Sequence, residues 1–362
     1  MVKTGTKLYS RELDFLKVIA IIMVVAFHYF GQLSGWHMQV VQSQWFFDYL
    51  KDFTWLKLLH FVEAYFYLGV NLFVITSGFG LYLSFLNSGK PLDLKEFFRK
   101  RVFRLMPPAV LTLIVIFFVK GFLLHDWPIN DWYVNIFPFL GGINLFADVW
   151  FYPPINGETW FLGLIVQLYL FFPLLVYLLH KMGSEKFLIM LFLVSVVFRI
   201  IYYFTLSSTV SSLSYGLSIG RLFEFGFGMM AAQLYAGRKK LSMLWVLGLL
   251  LFAGYFFPWS FPFTDSLLGI GLFVALFRLV SGLGQLKLTS LVATKISGQS
   301  YLIFLLQHPF IWVLNGMGLT DTWTIAGVLV FIPFIAFVYF LAKACQWLIS
   351  LEFKSKRSGM SV

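Results

Sequence analysis

Charge is scarce in this 362-residue chain: only 12% of its residues are charged, and it has a single cysteine, Cys345. Soluble domains carry about 25% charged residues, so the chain has too little charge to coat a water-exposed surface. One cysteine permits no intrachain disulfide and no cysteine-based zinc site. Disulfide-stapled secreted folds, collagen, disordered chains and ordinary cytosolic enzymes are thereby excluded. No internal repeat, low-complexity tract or domain linker interrupts the sequence. No signal peptide is expected either. The first apolar run, from about Leu13 to Leu33, is too long for a signal-peptide core and no small-residue cleavage site follows it.

Apolar residues dominate instead. The AVILMFWYC set makes up 60% of the chain, with 45 Phe, 17 Tyr and 12 Trp, and the mean hydropathy is +0.84. Such a chain needs a bilayer as its solvent, with the aromatic residues facing lipid or its interfaces. Apolar runs occur near 13–33, 58–86, 105–124, 159–180, 187–206, 218–236, 241–257, 266–282, 298–318 and 324–350. At about 20 residues per helical span, they predict an all-α polytopic membrane protein with about ten transmembrane helices.

The net charge of +11 bears on orientation before it bears on nucleic acid. With the N-terminus inside, nineteen of the 27 Lys and Arg fall on the cytoplasmic side, chiefly in 3–11, 90–104, 181–186, 238–240, 287–295 and 354–357. Only Lys51, Lys57 and Lys120 fall outside. This asymmetry predicts that both termini are cytoplasmic, in the plasma (inner) membrane. Two outer connections exceed a tight turn, roughly 34–57 and 125–158. The second, rich in Trp and Pro, is expected to lie on the outer face as an interfacial lid or as a passive loop.

Ionisable residues inside spans are costly and point to function by default. In the first run Lys17 lies near the cytoplasmic end and His28 follows eleven residues later, on nearly the same helical face and about 16 Å further along the axis. Asp14 is one turn from Lys17 and is expected to pair with it. Arg99, Lys100, Arg101 and Arg104 form a cytoplasmic cluster suited to anionic lipid headgroups or to the phosphates of a ligand. Further along, Asn71, Thr76 and Ser77 interrupt the second run, Arg221 and Glu224 are spaced i,i+3, and Gln307 and His308 precede Pro309. Arg221 with Glu224 reads equally well as a neutralising ion pair, and the small residues of the second run as helix-packing contacts. Together these groups demand a polar interior, either a transport path or an active site.

Several of these stretches resemble the acyltransferase-3 family of integral-membrane O-acyltransferases. RELDFLKVIAIIMVVAFH (11–28) is similar to the family's opening helix, a basic residue, ten positions and then His, here Lys17 and His28 preceded by Leu13 and Asp14. GVNLFVITSGFGL (69–81) resembles its second-helix pattern and RKRVFRLMPP its Arg-x-x-Arg-x-x-Pro element, with Arg101, Arg104 and Pro107. TWFLGLIVQLYLFFP (159–173), GRLFEFGFG (220–228) and ISGQSYLIFLLQHP (296–309) resemble three later motifs and bring in Trp160, Tyr301 and His308. The motifs cover 11–310 in order. They imply a single membrane-embedded acyltransferase domain over 1–362, with a basic tail at 351–362. Two departures stand out. Ile165 and Val166 occupy positions where many relatives carry an acidic pair, and the extracytoplasmic hydrolase-like domain of some relatives is not expected here.

The resemblance implies transfer of an acyl group, usually acetyl, from cytoplasmic acyl-CoA to a hydroxyl of an extracytoplasmic glycan or related acceptor. Arg99, Lys100, Arg101 and Arg104 would bind the donor's phosphates. His28, assisted by Lys17 and Asp14, would act as general base or acyl carrier. His308, Arg221, Glu224, Ser77, Tyr301 and Trp160 would line the acceptor cavity. Acetyl-CoA is then a substrate, no metal or tightly bound cofactor is expected, and nucleic acid is not a partner. A polytopic transporter or flippase of a sugar-containing or anionic substrate is the alternative, and a catalytically inactive scaffold a third.

Overall fold

The computed structural model describes residues 10–34, 54–127, 156–206, 217–256, 260–283, 287–317 and 325–358. Most of the two long outer connections therefore lies outside the described residues. Eleven α-helices occur among them: α1 (Arg11–Ser34), α2 (Trp55–Ala64), α3 (Leu68–Ser88), α4 (Leu94–Leu123), α5 (Thr159–Met182), α6 (Ser184–Leu206), α7 (Leu222–Ala236), α8 (Phe261–Leu283), α9 (Lys287–Ser297), α10 (Ser300–Gly316) and α11 (Ile325–Ser358). Short 3₁₀ segments join α2 to α3 and precede α7, and Met243–Phe256 forms a longer one. No strand occurs among the described residues.

Six of these segments are long and apolar enough to cross a membrane: Arg11–Gly31, Phe61–Ser88, Leu94–Leu123, Thr159–Met182, Pro262–Ser281 and Gly327–Leu351. This is a helical, multi-pass membrane protein. The other four expected runs are also helical but are not among these six. α7 has 15 residues, and α10 has 17 with Pro309 inside it. Met243–Phe256 has only 14 residues, although at the 3₁₀ rise of about 2.0 Å per residue it covers about 28 Å.

The sequence explains the local geometry. Asp93 caps α4 by accepting the backbone N–H of Glu96 at 3.0 Å, and Gly89 ends α3 in the left-handed conformation at φ 59°. α3 and α7 approach closely because each offers glycine where the other's backbone passes. A Cβ on Gly78 would strike the Phe225 carbonyl, and one on Gly228 would strike the Ile75 carbonyl. The small residues of the second run thus serve helix packing here. α1 is enclosed by α3, α9 and α10, and Tyr29 anchors it to α11 by donating its hydroxyl to the Gly327 carbonyl at 3.1 Å. That enclosure turns the His28 face of α1 toward α10.

Candidate active site

α1 and α10 bring His28 and His308 together. Their imidazole rings stack with centroids 4.7 Å apart and an interplanar angle of 10°. Beneath both lies Glu158, at the mouth of α5. His308 Nδ1 is 2.5 Å from Glu158 Oε1, and His28 Nδ1 is 3.7 Å from the same oxygen. The Gln307 Nε2–H donates to His28 Nδ1 at 2.5 Å. The imidazoles keep 18% and 13% of their side-chain surface accessible, whereas Glu158 keeps 2%, so the carboxylate is sealed while the rings can be reached. Burial opposes charge on Glu158, but the two imidazoles together hold its carboxyl below the usual carboxylate range. Two acceptor atoms in the cluster, Glu158 Oε2 and Gln307 Oε1, are buried without a hydrogen-bond partner among the described residues.

The site continues outward. Trp312, one turn after His308, packs against it with ring centroids 4.8 Å apart, and Lys120 Nζ stands 5.0 Å from the Trp312 ring. Lys120, expected among the outer-loop cations, is buried in the last turn of α4. Trp160 meets Phe304 of α10 edge-on at 6.5 Å. His28, Glu158 and His308 also offer three metal-ligating atoms within 4.8 Å of one another. The 2.5 Å His308–Glu158 separation is nevertheless that of a charge-assisted hydrogen bond. Two ligands of one ion with bonds of about 2.0–2.2 Å stand roughly 3 Å or more apart.

At the other end of α1, Asp14 accepts hydroxyl hydrogen bonds from Ser297 at 2.8 Å and Thr294 at 3.0 Å, which fixes α9 to α1. It also lies within electrostatic reach of Lys17, as does Arg104. Arg101 turns inward between Phe97 and Tyr169, its guanidinium carbon 5.4 and 5.8 Å from the two ring centroids. Arg99 and Lys100 face outward, and Lys100 pairs with Glu96 at 2.6 Å. Of the four cations, Arg101 is thus half-buried, whereas Arg99, Lys100 and Arg104 are exposed. Tyr301 donates to the Leu105 carbonyl at 3.4 Å, one residue beyond Arg104. Ser77 is half-buried within α3.

Arg221 and Glu224 belong to a second cluster. Arg221 Nη1 reaches Glu224 Oε1 and Asp265 Oδ2, both at 2.9 Å. Arg199 reaches the same two carboxylates at 2.9 and 3.0 Å and donates through Nε to the Gly220 carbonyl at 2.9 Å. Asn71 donates to Asp265 Oδ1 at 3.3 Å. These side chains bind α3, α6, α7 and α8 to one another rather than pointing at the imidazole pair.

Sequence reasoning missed Glu158 and Asp265. Glu158 stood at the end of the 125–158 segment and read as part of a loop. The available signal was an acidic residue immediately before the Thr-Trp start of an apolar helix. Asp265 sits in an apolar run 44 residues from Arg221, with nothing local to connect them.

Comparison with known proteins bears on what such a site belongs to. The acyltransferase-3 family model, described as an acyltransferase domain, matches residues 10–344, nearly the whole chain. No curated protein and no solved structure matches it. The match takes in both imidazoles, the carboxylate between them and Arg101, and the chain belongs to the acyltransferase-3 family of membrane acyltransferases.

Proposed function

We propose that this protein transfers an acetyl group from cytoplasmic acetyl-CoA to a hydroxyl of an extracytoplasmic glycan, using ten membrane crossings with both ends inside. The observation that carries the reading is the accessible His28–His308 stack on a buried Glu158. About 16 Å along α1 from His28, Lys17, Arg101 and Arg104 provide positive charge for the donor's phosphates, and a pantetheine arm is thin enough to pass between helices. The outward-facing Arg99 and Lys100 suit lipid headgroups better.

In this mechanism an imidazole takes the proton of the acceptor hydroxyl while that oxygen attacks the thioester carbonyl carbon. The C–S bond then breaks and the proton passes to the CoA sulfur. A base needs a free nitrogen lone pair. His28 Nδ1 now accepts from Gln307, which leaves the His28 proton on Nε2. Turning that amide over would place Oε1 against an Nδ1–H and free Nε2 for catalysis. His308 already donates Nδ1–H to Glu158, which puts its basic lone pair on Nε2, an arrangement that favours His308 as base in a second reading. In either case Glu158 stabilises the imidazolium that forms.

The test is transfer of label from radiolabelled acetyl-CoA by the purified protein in proteoliposomes, with His28→Ala and His308→Ala beside it. Label in a glycan fraction that vanishes in His28→Ala supports His28 as base or carrier. Loss in His308→Ala alone moves the base to His308. No acetyl-CoA-dependent transfer by the folded wild type, with movement of a sugar-containing solute instead, would support a transporter.

A further inference from the structure

The position of Glu158 depends on a contact between two distant parts of the chain. Proline at 309 has no N–H to give the carbonyl four residues earlier, so the Leu305 carbonyl lacks its normal partner inside α10. Asn156, fully buried, fills that vacancy by donating Nδ2–H to the Leu305 carbonyl at 2.8 Å. The same side chain accepts the backbone N–H of Glu158 through Oδ1 at 3.0 Å, and the Asn156 carbonyl accepts the Thr159 hydroxyl at 2.8 Å. One asparagine therefore joins the break in the His308 helix to the turn that presents Glu158. Neither function requires the other: a capped carbonyl needs no nearby carboxylate, and an Asn-Gly turn needs no broken helix.

We propose that Asn156 is a positioning residue, a latch that uses the carbonyl freed by Pro309 to hold the Glu158 carboxylate against His308 and His28. The inference rests on the acyltransferase reading for its consequence in catalysis, but the latch itself has a readout independent of activity. A displacement of about 1 Å in such a group can cost up to 100-fold in rate. Asn156→Ala frees the Glu158 turn. Asn156→Asp keeps the size and the Oδ1 acceptor but loses the donor. Pro309→Ala restores an N–H that competes for the Leu305 carbonyl.

The experiment uses full-length protein in detergent micelles, with diethylpyrocarbonate as the probe. Modification of His28 and His308 is followed at fixed pH by peptide mass spectrometry, alongside acetyl-transfer kinetics. The latch predicts that Asn156→Ala changes His308 modification in the same direction as Glu158→Gln and by a similar factor, although Glu158 is still present. It also predicts that kcat falls about 10- to 100-fold with the KM for acetyl-CoA unchanged. Asn156→Asp should be impaired in the wild type and cost much less in the Pro309→Ala background, and it serves where Asn156→Ala does not fold. Wild-type modification rates in Asn156→Ala and Asn156→Asp, or fully additive effects of the 156 and 309 changes, would overturn the latch. Absence of acetyl transfer by the wild type would count against the proposed function and leave the modification rates to decide the latch.

Discussion

The imidazole–carboxylate cluster of α1, α5 and α10 and the arginine–carboxylate cluster of α6, α7 and α8 differ in charge balance and in access. Arg199 and Arg221 are matched by Glu224 and Asp265, and all four side chains are at most 5% exposed. His28 and His308 share one carboxylate and remain partly accessible. A balanced, sealed cluster holds helices in register, because removing one member strands a charge in low dielectric. A cluster whose rings stay accessible can still meet a ligand. Ionisable residues in a membrane are thus poor guides to function until their partners are known.

The comparison can be broken most severely at the second cluster. Arg221→Leu should leave Glu224 and Asp265 short of a counter-ion and destabilise the fold by about 3–5 kcal/mol. A thermal unfolding scan in detergent would show the loss, and a near-wild-type midpoint would dissolve the distinction. His28→Ala should keep the wild-type unfolding midpoint and lose about 10²–10⁴-fold in transfer rate. Arg101→Gln with Arg104→Gln should raise the KM for acetyl-CoA about 10-fold or more while sparing that for the acceptor, as loss of charge-assisted phosphate contacts requires. Equal effects on both substrates would return these cations to a lipid-anchoring role.

The smallest expected effect is on acid stability. The folded Glu158 carboxyl is held below its ordinary value of 4.5, so its charge stabilises the fold above that pH. The contribution is lost as pH falls through the lower, folded value. The difference in unfolding midpoint between wild type and Glu158→Gln should therefore shrink as pH falls below about 4.5. A difference that grows on acidification would mean that Glu158 is held neutral.

Much of this was legible in the sequence because it depends on local spacing. Lys17 and His28 share a face through helical periodicity, Arg221 and Glu224 through an i,i+3 step, and the apolar runs all fall on helices. What was hidden depends on chain crossing. Glu158 gains meaning only when α10 carries His308 to it from 150 residues away, and Asn156 only when Pro309 frees a carbonyl beside it. The expected Asp14–Lys17 pair is likewise modified by partners that local spacing does not reveal, since Ser297 and Thr294 take both Asp14 oxygens. Met243–Phe256 is a 3₁₀ segment where an α-helix was expected.

The most direct test of the account is incorporation of labelled acetyl groups into envelope glycans, measured per folded protein molecule in cells carrying the wild type, His28→Ala, His308→Ala or Glu158→Gln. The account predicts clear incorporation by the wild type, loss in at least one of the two histidine variants, and strong reduction in Glu158→Gln. Incorporation at wild-type levels by all three variants would contradict the claim that the imidazole–carboxylate cluster performs the chemistry.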